Sequence, residues 1–258
     1  MTNNEQYLFD LQGYITVPNA LDSEHLDALN TILDQQIEAN VEDDEGTHRF
    51  SELLQWGQPY LDLIDLPTVV PYLEGLLGPK FRLDHVYLDL IRTGLGPIGA
   101  TLHGGAVPFR PLTSFRFSDG RMHNGLSVVA YNLADVNPDD GGFGCIPGSH
   151  KSNFAFPEEW KDLTDPHPSV ARVVGPAGTA VLFTEALTHG SLPWTADHER
   201  RTIFYKYSPH ELAWWGEYPT PEGLGDLTDR QRGILEGPNA RYTNRRDGNF
   251  VVRGQGRR

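Results

Sequence analysis

The first apolar run, Gly13 to Val17, is closed by Pro18 and Asn19 and reads as a short strand. Asp22 or Ser23 then stands where a helix N-cap belongs. Leu26, Leu29, Ile32, Leu33 and Ile37 follow at helical spacing, which lays one apolar stripe along the helix and buries it. Pro67 to about Leu77 predicts a second helix, opened by a proline that the first turn tolerates and stopped by Gly78-Pro79. From Phe81 onward the period changes to that of a strand. Phe81 to Arg92 and Leu126 to Asn132 read as core strands, and Val170 to Val174 and Thr179 to Phe183 as two more separated by Gly175-Pro176-Ala177-Gly178. Arg201 to Tyr207 sets Ile203, Tyr205 and Tyr207 on one face against Phe204 and Lys206 on the other. Thr228 to Leu235 predicts a short helix. Helices first and strands after is an α+β order, mainly β, with the helices outside a sandwich or barrel.

Length and composition add limits. The 258 residues suit a single domain 1–258, with a helical portion to about residue 80, a core over about 81–210 and an extension beyond about 211. A domain this large buries roughly three quarters of its unfolded surface, so it needs no disulfide or structural metal to fold. The sole cysteine, Cys145, excludes an internal disulfide and suits a reducing compartment. A net charge of −14 argues against nucleic acid or anionic membrane as a partner, because both want clustered Lys and Arg. The one basic cluster, Arg245, Arg246, Arg253, Arg257 and Arg258, reads as a solvated tail. No basic segment followed by an apolar one opens the sequence, and no apolar run reaches membrane-spanning length, so a cytoplasmic protein is expected.

The candidate chemistry falls in a particular order. Leu102-His103-Gly104-Gly105 precedes a core strand, Cys145-Ile146-Pro147-Gly148-Ser149-His150-Lys151 follows it, and Thr188-His189-Gly190-Ser191 is followed by Arg200. Imidazole is a common neutral ligand of Fe(II), and two such ligands at strand ends make a rigid site. Arg200, on the next strand, offers a guanidinium fork to the far carboxylate of a dicarboxylate, with the Ser191 hydroxyl as a second contact. Strand alternation alone leaves open whether Arg200 or Arg201 faces inward. His123, His150 and His198 have no such support, and His150 reads as part of a structural turn.

These residues resemble the phytanoyl-CoA dioxygenase family of Fe(II)/2-oxoglutarate oxygenases. The resemblance lies in Gly141-Gly142 through Lys151, in His189-Gly190-Ser191 with Arg200, and in Leu102-His103 followed by Pro108-Phe109-Arg110-Pro111. It runs from Phe9 to about Tyr207. It implies a double-stranded β-helix (jelly-roll, cupin-like) in which His103 and His189 bind iron, and Arg200 with Ser191 binds 2-oxoglutarate. O2 and a small-molecule substrate would be the other partners, and hydroxylation the default outcome. The family usually carries His-x-Asp at its first position, where this chain has Gly105. Three readings stand open. Another carboxylate supplies the third ligand, Glu185 ahead of Asp119; a halide such as chloride occupies the vacated position, as in related halogenases; or iron has been lost and the protein only binds. Trp194, Trp214, Trp215, Tyr205 and Tyr207 are candidates for a substrate pocket or for core, and Tyr87 and Asp89 for support behind the ligands.

Overall fold

A computed structural model describes residues 1–240, so the arginine-rich end lies outside the described residues. Helix α1 (Asn3–Gln12) leads into β1 (Tyr14–Val17), α2 (Ser23–Asn40), β2 (Thr47–Phe50), the single turn α3 (Gln58–Leu61) and α4 (Val70–Leu77). Strand β3 (Arg82–Ile91), the hairpin β4 (Phe115–Ser118) and β5 (Arg121–Asn124), and β6 (Ser127–Asn132) follow. The remaining elements are β7 (Gly142–Cys145), β8 (Ala171–Arg172), β9 (Ala180–Thr184), β10 (His189–Leu192), β11 (Arg200–Ser208) and α5 (Asp229–Ile234).

The strands form a six-stranded antiparallel sheet in the order β1-β9-β6-β11-β3-β2 and a three-stranded sheet β10-β7-β8. The two face each other, with Phe143 and Cys145 of the small sheet packing on Val128, Ala130, Phe183 and Phe204 of the large one. On the reverse face of the large sheet, Val129, Tyr131, Leu182 and Ile203 pack against Leu29, Leu33, Leu73 and Leu76 of the helices. This is a double-stranded β-helix with its helices outside. Alternation along β11 divides its residues between the two layers: odd positions enter the helical core and even positions point between the sheets. Tyr205 and Tyr207 are therefore core residues, their hydroxyls donating to the carbonyls of Tyr60 and Leu63. Trp194 is likewise buried, its indole N–H donating to the His198 carbonyl.

Three elements depart from the pattern. Helix α1 shows no strong apolar stripe because only Phe9 is buried while Tyr7, Leu8 and Leu11 are exposed. Its legible signal was the capping box of Thr2 and Glu5. Helix α4 starts at Val70 rather than Pro67, since Leu66 to Val69 forms a separate turn and Pro71 is the first-turn proline. The Val170–Val174 run keeps only Ala171–Arg172 as strand, paired with Gly144 and Cys145 of the short β7.

His150 ties α1 to the strand layer. It is fully buried, donates from Nε2 to the Asp10 carbonyl at 3.1 Å, and meets Phe115 edge-on. Burial, helped by Lys151, pushes its imidazole down to about 4 from an ordinary 6.5. Between those values the unfolded chain binds a proton that the folded chain refuses, so stability falls as pH drops through that window. The loss at pH 4 is on the order of 3 kcal/mol. Urea unfolding at pH 7 and pH 4.5 should show it, and His150→Gln should flatten the difference.

Candidate active site

The 103–105 segment and β10 meet in a two-residue antiparallel bridge. His103 N–H donates to the His189 carbonyl and His189 N–H to the His103 carbonyl, both at 2.8 Å. The bridge sets the two imidazoles side by side with ring centroids 4.2 Å apart. Gly104 makes this possible. Its φ is +79°, and a Cβ there would lie 2.5 Å from the Leu187 carbonyl oxygen, so only glycine lets the segment lie on the turn before His189.

Each ring has a backbone partner on its Nδ1. His189 Nδ1 lies 2.7 Å from the Leu187 carbonyl and His103 Nδ1 3.3 Å from that of Thr101. Donation to those carbonyls puts the proton on Nδ1 and leaves both Nε2 lone pairs available, the arrangement that supports metal-binding histidines. Burial, followed by the neighbouring His103, pushes His189 down to about 3, so it is neutral at physiological pH.

Glu185 caps the end of β9 and turns inward. Its Oε1 accepts from Lys206 Nζ at 2.5 Å, while Oε2 stands 3.9 Å from His189 Nε2. Burial raises the carboxyl, but Lys206 and then His189 outweigh it and hold it at about 2. Two adjacent donors on one ion, each about 2.1 Å from it, stand about 3 Å apart. Glu185 is thus roughly an ångström from that spacing. Among the described residues, no group of three or more His, Cys, Asp or Glu is already set to hold a metal. What is preset is a histidine pair with one carboxylate oxygen facing it.

Alternation on β11 decides between the two arginines. Arg201 points to the helical layer and pairs with Glu199 and Asp34, both at 2.7 Å. Arg200 points between the sheets, buried, with Nη1 donating to Ser191 Oγ at 2.8 Å and Nε buried without a hydrogen-bond partner. A buried guanidinium with an unused donor is costly, and an anion in the same cavity would relieve it. That cavity is lined by His103, His189, Ser191, Arg200, Lys206, Phe143, Phe183 and Phe204. Tyr87 and Asp89 also line it, with Asp89 accepting two bonds from Arg49 and Arg49 lying over the Tyr87 ring.

Gly105 is outside this cavity. It lines a separate one with Ala106, Val107 and Thr188, and a Cβ on it would meet Thr188 Oγ1 at 3.0 Å. Asp119 sits at the exposed tip of the β4–β5 hairpin, and His198 bonds the Asp135 carbonyl; neither lines the cavity. Cys145 is buried on β7, where burial pushes its thiol up to about 12 and makes it unreactive.

Sequence reasoning gave no role to Lys206 or Arg49. For Lys206 a signal existed, a cation inside the otherwise apolar run Ile203–Tyr207. Trp214 and Trp215 line the outer part of the site with His85, His103, Glu185 and Lys206. Their segment is anchored by the buried Arg82–Asp84 pair, where Asp84 accepts from Trp214 N–H at 2.9 Å.

Residues 103–202 match the family model described as Phytanoyl-CoA dioxygenase (PhyH). No curated protein sequence matches the chain. Among solved structures, HygX from Streptomyces hygroscopicus with nickel and 2-oxoglutarate bound superposes with a TM-score of 0.74 at 22% identity, covering 88% of this chain and 95% of that one. HygX with nickel, 2-oxoglutarate and hygromycin B bound gives 0.71 at 23% identity, covering 88% and 96%. The non-heme alpha ketoglutarate dependent carbocyclase SnoK from nogalamycin biosynthesis gives 0.58 at 18%, covering 82% and 85%. At these identities the structural likenesses establish the fold.

Proposed function

From the premise that the chain is phytanoyl-CoA dioxygenase-like, with the family segment running from His103 to Thr202, we propose that it is an Fe(II)- and 2-oxoglutarate-dependent oxygenase of a small molecule. The observation that carries this is a buried Arg200 with an unused donor, in one cavity with two histidines whose Nδ1 atoms face backbone carbonyls and whose Nε2 atoms make no hydrogen bond. The donor set fits the metal, since imidazole nitrogen with one carboxylate and open positions suits non-heme Fe(II). HygX, which shares the fold, holds nickel with 2-oxoglutarate in one structure and iron in another.

His103 and His189 would hold the metal through Nε2, and Glu185 Oε2 would complete the set. Arg200 and Ser191 would receive the far carboxylate of 2-oxoglutarate. When bound, Fe(II), 2-oxoglutarate and O2 supply oxidation of a C–H bond, with 2-oxoglutarate decarboxylated to succinate. The chain's own work is positioning. Phe143, Phe183 and Phe204 give the cavity an apolar wall, and Asp89 fixes Arg49 at its edge.

The substrate would enter past Trp214 and Trp215 from a groove of about 880 Å³ that includes Glu52, Glu217 and Glu222. With a net charge of −14, this entrance suits a neutral or cationic molecule better than a CoA thioester. The HygX structure holding hygromycin B shows a small molecule on the same fold. We read residues 1–258 as one oxygenase domain acting in the cytoplasm; among the described residues no helix is long and apolar enough to cross a membrane.

Hydroxylation is favoured over halogenation because Glu185 Oε2, 3.9 Å from His189 Nε2, offers the carboxylate that a halide site lacks. Gly105→Asp should therefore fail to add a ligand. With φ at +105°, a side chain there is strained, and the variant should lose about 1–3 kcal/mol while its Co(II) affinity does not rise. Thermal melts and cobalt titration check both.

Anaerobic calorimetry tests the binding part of the proposal. 2-Oxoglutarate should bind the Co(II)-loaded protein about a hundredfold or more tighter than the metal-free protein, because chelation adds to the Arg200 contact. Equal affinity in the two forms would overturn the reading.

A further inference from the structure

We infer that Lys206 is a positioning residue that presents Glu185 to the metal through one oxygen and competes with the metal for its charge. The inference rests on the reading of Glu185 as third ligand. It begins from the division of labour between the two carboxylate oxygens. Oε1 is taken by Lys206 Nζ at 2.5 Å, and only Oε2 faces His189 Nε2. Lys206 is itself held, with Nζ 5.4 Å from the centroid of the Tyr87 ring and its strand locked on both sides, to β3 and to β6. A carboxylate fixed at one oxygen cannot swing to chelate with both, so it offers a single donor and leaves positions open for other ligands.

The second part follows from charge. Glu185 and Lys206 sum to zero, so the ion pair adds no net charge beside the histidines. Without Lys206, Glu185 would add one negative charge. In the metal-free protein the lysine is the counter-ion that keeps a buried carboxylate from standing unpaired. Toward a dication the same ammonium is repulsive, across a single carboxylate and with both side chains largely shielded from water. Lys206 therefore stabilises the metal-free protein and weakens its hold on the metal. A purely structural ion pair would do only the first.

The test uses the full chain, purified metal-free, with Co(II) as probe. Lys206→Met should melt lower than wild type without metal, bind Co(II) about tenfold or more tighter by calorimetry, and recover most of the lost melting temperature when cobalt is added. Lys206→Arg keeps the charge and the donors, so it should stay within about threefold of wild-type affinity. If Lys206→Met does not fold, Lys206→Gln keeps a donor to Oε1 without the charge and should show the same tightening. Unchanged or weaker cobalt binding in the uncharged variants would overturn the inference. Glu185→Gln separates this from failure of the ligand reading. If it leaves cobalt affinity unchanged, Glu185 is no ligand and both fall. If it weakens binding about tenfold or more while the uncharged Lys206 variants do not tighten it, the Lys206 inference alone falls.

Discussion

Arg200→Met should all but abolish 2-oxoglutarate binding while leaving the metal site intact. In wild type the buried guanidinium has one donor on Ser191 and its Nε unused, so it is poised for an anion. Truncating one member of a buried charge pair costs about 3–5 kcal/mol, which weakens binding by about a hundredfold to several thousandfold. Met leaves a wall of similar bulk without charge or donor. Calorimetry of 2-oxoglutarate into cobalt-loaded protein reads the loss, and Co(II) affinity should stay within about threefold, because Arg200 donates to Ser191 and not to the histidines. Stability should not suffer. Burial already pushes this guanidinium below its ordinary range, so replacing it with an apolar side chain removes a desolvated charge from the unliganded protein. Arg200→Lys should recover only part of the affinity, since a point charge does not reproduce the two-pronged fork.

Glu185→Ala should be the most damaging single change in the site. It strips Lys206 of its buried partner, and an unpaired charge of that kind costs about 3–5 kcal/mol. Urea unfolding of the metal-free protein should register that loss. On the proposed ligand set it should also remove one of three donors, lowering cobalt affinity about a hundredfold or more. Added metal should then fail to restore stability, in contrast to Lys206→Met, where the remaining carboxylate gains a new counter-ion. The two variants break the same ion pair and should move metal affinity in opposite directions.

The parts of this site that were legible in the sequence are those where identity and spacing coincide. His103, His189 and Ser191 with Arg200 carry a spacing that the fold converts into one cavity, and β11 shows why Arg200 rather than Arg201 turns inward. Glu185 was visible as an acid stranded among apolar neighbours. Lys206 was legible only as a cation in an apolar run, with no role attached, because a lysine in an alternating strand reads as the solvent face until the second sheet is known to cover it. Gly105 was legible as a glycine in place of the family's aspartate, but its φ of +105° is set by the loop, which residue identity alone does not reveal. The small sheet was equally hidden. Strands β7 and β10 are four residues each and rich in glycine, so they lack the alternation that exposed β3 and β11.

The most direct measurement of the central claim is O2-dependent succinate formation from 2-oxoglutarate by the iron-loaded protein, compared with His189→Ala. The account predicts succinate above the rate without protein, requiring both Fe(II) and O2, slow in the absence of the true substrate and lost in the variant. Iron-loaded wild type that binds 2-oxoglutarate and releases no succinate, or a His189→Ala protein that releases as much as wild type, would contradict it.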